Sequence, residues 1–183
     1  MQIFTEKPTS KFITIGCFGA TRPYKNQLEQ AVGAIIAAKK LNKTLIYIIN
    51  GSRIEYGGDG IILNIRALFK DNPKAKLIEL TWLTHSKFLE IISTVDVNLQ
   101  VSYSETFNIV SADSITAGVP VIVSSEIDWL PSAYYADPND AFDIANKILF
   151  VLKFKRLVLW SQRQSLKLYN KRALKVWNSF LQP

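Results

Sequence analysis

One cysteine and one histidine in 183 residues remove several kinds of chemistry at once. A lone Cys17 excludes an internal disulfide framework and fits a reducing compartment. Set inside an apolar run, it reads as a small core residue. His85, the single histidine, rules out a His-rich metal site and speaks against a histidine-based triad; it reads as a surface residue at a helix start. No long apolar run is present either. Ile148 to Trp160 comes nearest, but Lys153, Lys155 and Arg156 interrupt it, which excludes a bilayer span. Met1 to Lys11 is polar and has no apolar core of a signal peptide. The expectation is a cytoplasmic protein, at most peripheral at a membrane surface. Gly16 and Gly19 make neither a dinucleotide fingerprint nor a phosphate-binding loop of the G-x-x-x-x-G-K type.

Acids are missing from one end. Residues 144–183 carry nine Lys or Arg and no Asp or Glu, so of the net charge of +7 the rest of the chain holds about −2. Such a tail attracts anions of any class or is simply a solvated helix face. Nucleic acid is disfavoured, because no recognition motif accompanies the charge and Trp160, Tyr169, Trp177 and Phe180 fit helix packing equally well.

What is present is ordinary in bulk and specific in order. At 48% hydrophobic and 20% charged residues the composition is that of a globular domain large enough to bury a core. Short β-branched runs at Phe12–Phe18, Thr44–Ile49, Lys76–Leu80, Val95–Val101 and Val119–Val123 alternate with helical stretches at Gln27–Leu41, Ile61–Lys70 and Ser86–Ser93, and with a helix starting near Phe107. Two basic helices close the chain over 138–183, opened by Asp137-Pro138-Asn139-Asp140. Strands apolar throughout and alternating with helices argue for a single α/β Rossmann-like domain. Its doubly wound parallel sheet is expected to have about six strands and helices on both faces, after a lead-in over 1–11. Ligands of such sheets bind beyond the carboxyl ends of the strands.

Two segments fall there. The first is Gly19-Ala20-Thr21-Arg22-Pro23-Tyr24-Lys25-Asn26, with a guanidinium and an ammonium three residues apart. Both are read either as part of a plain solvated loop or as loop cations for a phosphate, removable without unfolding the domain. The second is Glu105-Thr106-Phe107-Asn108-Ile109-Val110, leading to Asp113 and ending at Gly118-Val119-Pro120. A helix mouth offers free N–H groups and a positive dipole end to a phosphate. Acids on either side can each take the hydroxyls of a ring, and a phosphate between two hydroxyl-bearing rings is a nucleotide-sugar; the alternative is that Glu105 interacts with the helix dipole and Asp113 makes a surface ion pair. Asp96-x-Asn98 has the outline of a metal pair but lies in an apolar strand, where Asp96 caps the start; Asp137 to Asp140 reads as turn and cap.

In this order, Arg22, Lys25 and Asn26, then Asn50-Gly51, Trp82-Leu83-Thr84, the Val95 strand, the acid pair and Gly118-Val119-Pro120-Val121-Ile122 resemble a known domain. It is the C-terminal, donor-binding domain of GT-B-fold retaining glycosyltransferases, glycosyltransferase family 4, and the resemblance covers roughly residues 12–150. It implies that Arg22 and Lys25 hold the donor diphosphate and Glu105 the transferred sugar, these three being the catalytic set. The amides of Phe107, Asn108 and Ile109 would meet phosphate or sugar, Asp113 the ribose, and the backbone of Leu83 and Thr84 the base edge. Gly19, Asn26, Gly51 and Thr106 complete the donor-binding set. The second acid is Asp in place of the usual Glu, and Asn108 stands where Gly is common. The implied activity is a metal-independent, retaining transfer of a hexosyl group, without a cofactor, from a nucleotide-diphosphate sugar to a glycan or lipid-linked acceptor. A GT-B enzyme uses two such domains, so an N-terminal-domain-like partner is expected, whether this chain is an excised domain, half of a two-subunit enzyme or a reduced standalone protein. The alternative is a non-catalytic module docking to a partner subunit or an anionic membrane; a nucleotide-sugar epimerase is disfavoured. Leu174, Trp177, Phe180 and Leu181 form an apolar stripe at helical spacing, read first as packing within the domain.

Overall fold

The structure, a computed structural model, describes residues 11–181. The lead-in, apart from its last residue, and the final two residues of the tail lie outside the described residues. Five strands, β1 (Phe12–Cys17), β2 (Thr44–Ile49), β3 (Ala75–Glu79), β4 (Val97–Gln100) and β5 (Val121–Val123), form one wholly parallel sheet in the order β3-β2-β1-β4-β5. The expected sixth strand is absent among the described residues, because after β5 the chain runs through a loop into two helices. Strands β4 and β5 are shorter than their apolar runs. Val119 and Pro120 approach β5 without joining it, and Asp96 binds β1 through both its amide and its carboxylate, to Thr14.

Helices α1 (Gln27–Lys40), α2 (Asp59–Lys70) and α5 (Ala141–Lys153) cover one face. There Ala31, Ala34, Ile62, Ile65, Ile144 and Ile148 meet Ile15, Leu45, Tyr47 and Leu99. Helices α3 (His85–Ile92) and α4 (Ile109–Thr116) cover the other, where Phe88, Ile92 and Val110 meet Phe18, Ile48 and Val119. The 27-residue α6 (Lys155–Leu181) closes a third cluster through Leu159 and Leu166 against Ile115, Val121 and Ile127. Residues apolar on consecutive positions are what a strand covered on both sides requires. At α5 the expected cap is present: Asp140 Oδ1 accepts from the amides of Phe142 and Asp143.

The distal half of α6 does not pack as expected. Leu174, Trp177, Phe180 and Leu181 are each 60% to 77% exposed. The helix is longer than the domain face it lies on, so the side that buries Val158 and Gln162 runs on past the domain edge. No helix among the described residues is long and apolar enough to cross a membrane.

The sheet order reverses between β1 and β4. That switch point, at the carboxyl ends of the two strands, is where an open α/β sheet leaves a crevice for a ligand. The loops that follow β1 and β4 are the two singled out by their charge.

Candidate functional site

The loop after β1 is held rigid from below by three amide side chains. Gln27 Nε2 donates to the Ala20 carbonyl (2.8 Å) and Gln30 Nε2 to that of Lys25 (2.7 Å), while Gln30 Oε1 accepts from the Val101 amide (2.9 Å). Asn26 is left-handed (φ 54°) and its Nδ2 donates to the carbonyls of Val101 (3.1 Å) and Pro138 (2.7 Å). This residue, expected to touch the donor, ties the loop through its Nδ2 to the end of β4 and to the segment before α5. Gly19 takes φ 115°, a region that only glycine enters freely, and its amide donates to Asn50 Oδ1 (2.9 Å).

On this frame stand Arg22 and Lys25. The Arg22 side chain is 37% exposed, and its Nη1 lies 3.7 Å from Glu55 Oε2. Lys25 differs from the free loop cation expected: it is buried and paired with Glu105, the two side chains being 11% and 7% exposed. The Tyr103 amide bonds to the Tyr24 carbonyl (2.8 Å) and fastens the two loops together next to the pair. Arg22, Tyr24, Tyr56, Ser104, Glu105 and Thr106 line one cleft, of about 490 Å³.

A second cleft, of about 270 Å³, lies toward α3, lined among others by Gly19, Asn50, Trp82, Leu83, His85 and Val110. The Arg53 guanidinium sits 5.6 Å from the centre of the Trp82 ring, a cation–π contact. Arg53 Nε also donates to Glu55 (2.6 Å), the same acid that faces Arg22. A chain of contacts, Trp82 to Arg53 to Glu55 to Arg22, thus runs from the rim of one cleft to the other. Gly19 borders the second cleft, and a Cβ built there would lie 3.9 Å from Lys25 Cε, in ordinary van der Waals contact with the Lys25 stem.

The motif helix begins at Ile109, two residues later than expected. Asn108 is its cap: left-handed (φ 57°) and buried, it accepts the Ser111 amide on Oδ1 (2.8 Å) and donates from Nδ2 to Gln100 Oε1 (2.9 Å). Asn is the residue after Gly that best tolerates this conformation, which accounts for its presence where glycine was expected. Phe107 turns away from the clefts. Its ring stacks on Trp129 and Tyr169, and its carbonyl accepts from Trp129 Nε1 (2.7 Å), which locks the approach to the helix against α6. Ile109 is exposed. Asp113 lies on α4 within hydrogen-bond distance of His85 (3.1 Å).

Gly51 and Thr84 stand apart from both clefts. A Cβ at Gly51 would clash with Glu79 Oε2, so this glycine makes room for the Glu79 carboxylate, which Arg66 holds at 2.9 and 2.8 Å. That arrangement depresses the Glu79 carboxyl below its ordinary value. Thr84 precedes α3 and its hydroxyl reaches Ser86. Sequence reasoning did not find Glu55, Arg53 or the contact of His85 with Asp113. Glu55 with Arg22 and Arg53 with Trp82 are contacts between segments far apart in the chain, and His85 with Asp113 joins two helices, pairings for which spacing along the chain gives no signal. Among the described residues no three His, Cys, Asp or Glu converge as metal ligands.

No protein-family model matches the chain, and no curated protein matches it. Solved structures do. One is the C-terminal domain of a glycosyl transferase group 1 family protein from Francisella tularensis, at TM-score 0.68 and 17% identity, over 88% of this chain and 86% of that one. Another is the catalytic domain of a cholesterol-α-glucosyltransferase from Helicobacter pylori, at 0.62 and 21%, over 85% and 95%. A trehalose-6-phosphate structure from E. coli, bound with UDP-2-fluoro glucose, matches at 0.69 and 13%, over 88% of this chain but only 41% of its own. At these identities the likeness concerns architecture. The chain has the Rossmann-like fold of the C-terminal half of a GT-B glycosyltransferase.

Proposed function

We propose that this chain is the donor-binding domain of a metal-independent, retaining glycosyltransferase that uses a nucleotide-diphosphate sugar. One observation carries the reading: Lys25 pairs with Glu105 at the switch point, Arg22 and Glu105 line one cleft and Gly19 the other, with Asp113 on the helix that follows. The diphosphate lies across the Gly19 and Lys25 region. The ribose and base enter the cleft of Gly19, Asn50, Trp82 and Leu83, and the transferred hexosyl group enters the cleft of Arg22, Glu105 and Thr106.

Transfer breaks the bond between the sugar and the diphosphate, and negative charge develops on the departing phosphate. Fixed cations facing that charge supply the largest stabilisation available. Arg22 is open to the solvent-filled cleft and can fork onto phosphate oxygens. Lys25 has three ammonium protons and spends one on Glu105, so it can meet a phosphate without leaving its partner. The E. coli neighbour holds UDP-2-fluoro glucose, which supports the donor class.

Calorimetric titration with UDP-, GDP- and ADP-sugars tests the reading. Saturable binding of at least one is expected, and a folded protein that binds none of them overturns it.

The exposed stripe of α6 favours one further feature. Because Trp177 and Phe180 continue the side of α6 that packs on this domain, what covers them is a body lying beside the domain. An acceptor-binding partner domain in that place completes the enzyme. Cross-linking from the tail of α6 to a co-purified partner is its test.

A further inference from the structure

The only imidazole of the chain touches the carboxylate assigned to the ribose. His85 opens α3 and Asp113 lies on α4, 28 positions later. Nε2 and Oδ2 are 3.1 Å apart; since a carboxylate is acceptor-only, the imidazole is the donor. His85 belongs to the lining of the Trp82 and Leu83 cleft, as does Val110, one turn before Asp113 on α4. The two side chains differ in burial: that of His85 is 67% exposed and that of Asp113 only 20%.

Building on the donor-domain reading, we propose that His85 is a positioning residue that orients Asp113 to select the ribose hydroxyls of the donor nucleotide. A carboxylate turns freely about its last side-chain bond, and a hydroxyl that recruits it must offset that lost freedom. With Oδ2 held by the imidazole, Oδ1 is left with a fixed direction for a ribose hydroxyl. The contact is a charge-assisted hydrogen bond, the class of interaction that discriminates most strongly against a ligand lacking the hydroxyl. His85 thus sets selectivity for the sugar of the nucleotide without itself reaching the diphosphate.

The test measures Kd for UDP, GDP and ADP beside the 2′-deoxy and 3′-deoxy forms of each. Wild-type protein is expected to bind the ribonucleotide it recognises at least about tenfold more tightly than one of its deoxy forms. His85→Ala closes most of that gap by weakening the ribonucleotide, and leaves Kd for the discriminated deoxy form within about twofold. Asp113→Asn abolishes the gap, and adding His85→Ala to it changes nothing further. His85→Gln, whose amide can still donate, recovers part of the preference. Thermal melting of each variant confirms a folded domain. An unchanged ribo-to-deoxy ratio in His85→Ala overturns the proposal, as does an equal loss for both forms. If wild-type protein binds no nucleoside diphosphate, the donor-domain reading fails first and this assignment falls with it.

Discussion

Lys25 and Glu105, eighty positions apart, form an ion pair that is almost wholly out of solvent at the junction of the two loops that build the site. Removing one partner strands the other as a buried charge, at a cost of about 3–5 kcal/mol, whereas removing both leaves neither charge uncompensated. Lys25→Met and Glu105→Leu are therefore each expected to lower unfolding free energy by several kcal/mol. The double variant is expected to lose less than the sum of the two. Urea denaturation of the four proteins gives the coupling; strict additivity would deny the pair its structural role. All three variants should also lose donor binding.

Arg22 contrasts with Lys25. Its side chain is more than a third exposed, and its partner Glu55 is 3.7 Å away and already bonded to Arg53. Exposed pairs of this kind contribute little. Arg22→Ala should leave the melting temperature almost unmoved and weaken nucleotide-sugar binding by about 1.5–3 kcal/mol, roughly 10- to 150-fold. Differential scanning fluorimetry beside calorimetry separates the two readouts. A large drop in melting temperature with affinity unchanged would assign Arg22 to the fold and not to the ligand.

The architecture was legible because it rests on local patterns. The β-branched runs and their intervening helices give five parallel strands, and the meeting of the Arg22–Lys25 and Glu105 loops at the switch point follows from connectivity. What escaped the sequence depends on partners brought from elsewhere in the chain. Nothing in the sequence signals that Val101 and Pro138 take the Nδ2 protons of Asn26, or that Glu79 lies against Gly51. The stripe of Leu174, Trp177 and Phe180 has the spacing of a core helix face. Spacing reports that a face is apolar and says nothing of where the domain beneath it ends.

Cys17 provides a pH dependence. Burial pushes its thiol up from the ordinary 9.0 to about 12, so the native protein resists the thiolate that the unfolded chain forms readily. A folded pKa above the unfolded one contributes stability that is fully present below pH 9 and is lost as pH rises toward 12. The thiol should thus stay inert to disulfide reagents at pH 8 until the protein is denatured. Unfolding free energy should fall between pH 9 and 12 less steeply in Cys17→Ala. Burial also raises the Tyr47 phenol, so some alkaline loss remains in that variant. Rapid native labelling, or identical slopes for both proteins, would contradict the assignment.

Asn108 carries three burdens in one side chain, and substitutions separate them. Alanine removes the cap on the Ser111 amide, leaves Gln100 Oε1 without its donor and places a Cβ in a left-handed conformation. Losses of about 1 kcal/mol for a cap and about 1–2 kcal/mol for the conformation, with the cost of an unpaired buried acceptor, put the total at about 3–5 kcal/mol. Glycine makes the same deletions but is at ease at φ 57°, so Asn108→Gly should unfold about 1–2 kcal/mol less readily than Asn108→Ala. Chemical denaturation ranks them directly. If the α4 amides meet the phosphate, as the family resemblance implies, donor affinity should follow the same order, because this cap aims them. A glycine variant less stable than the alanine variant would show that backbone strain is no part of what Asn108 provides.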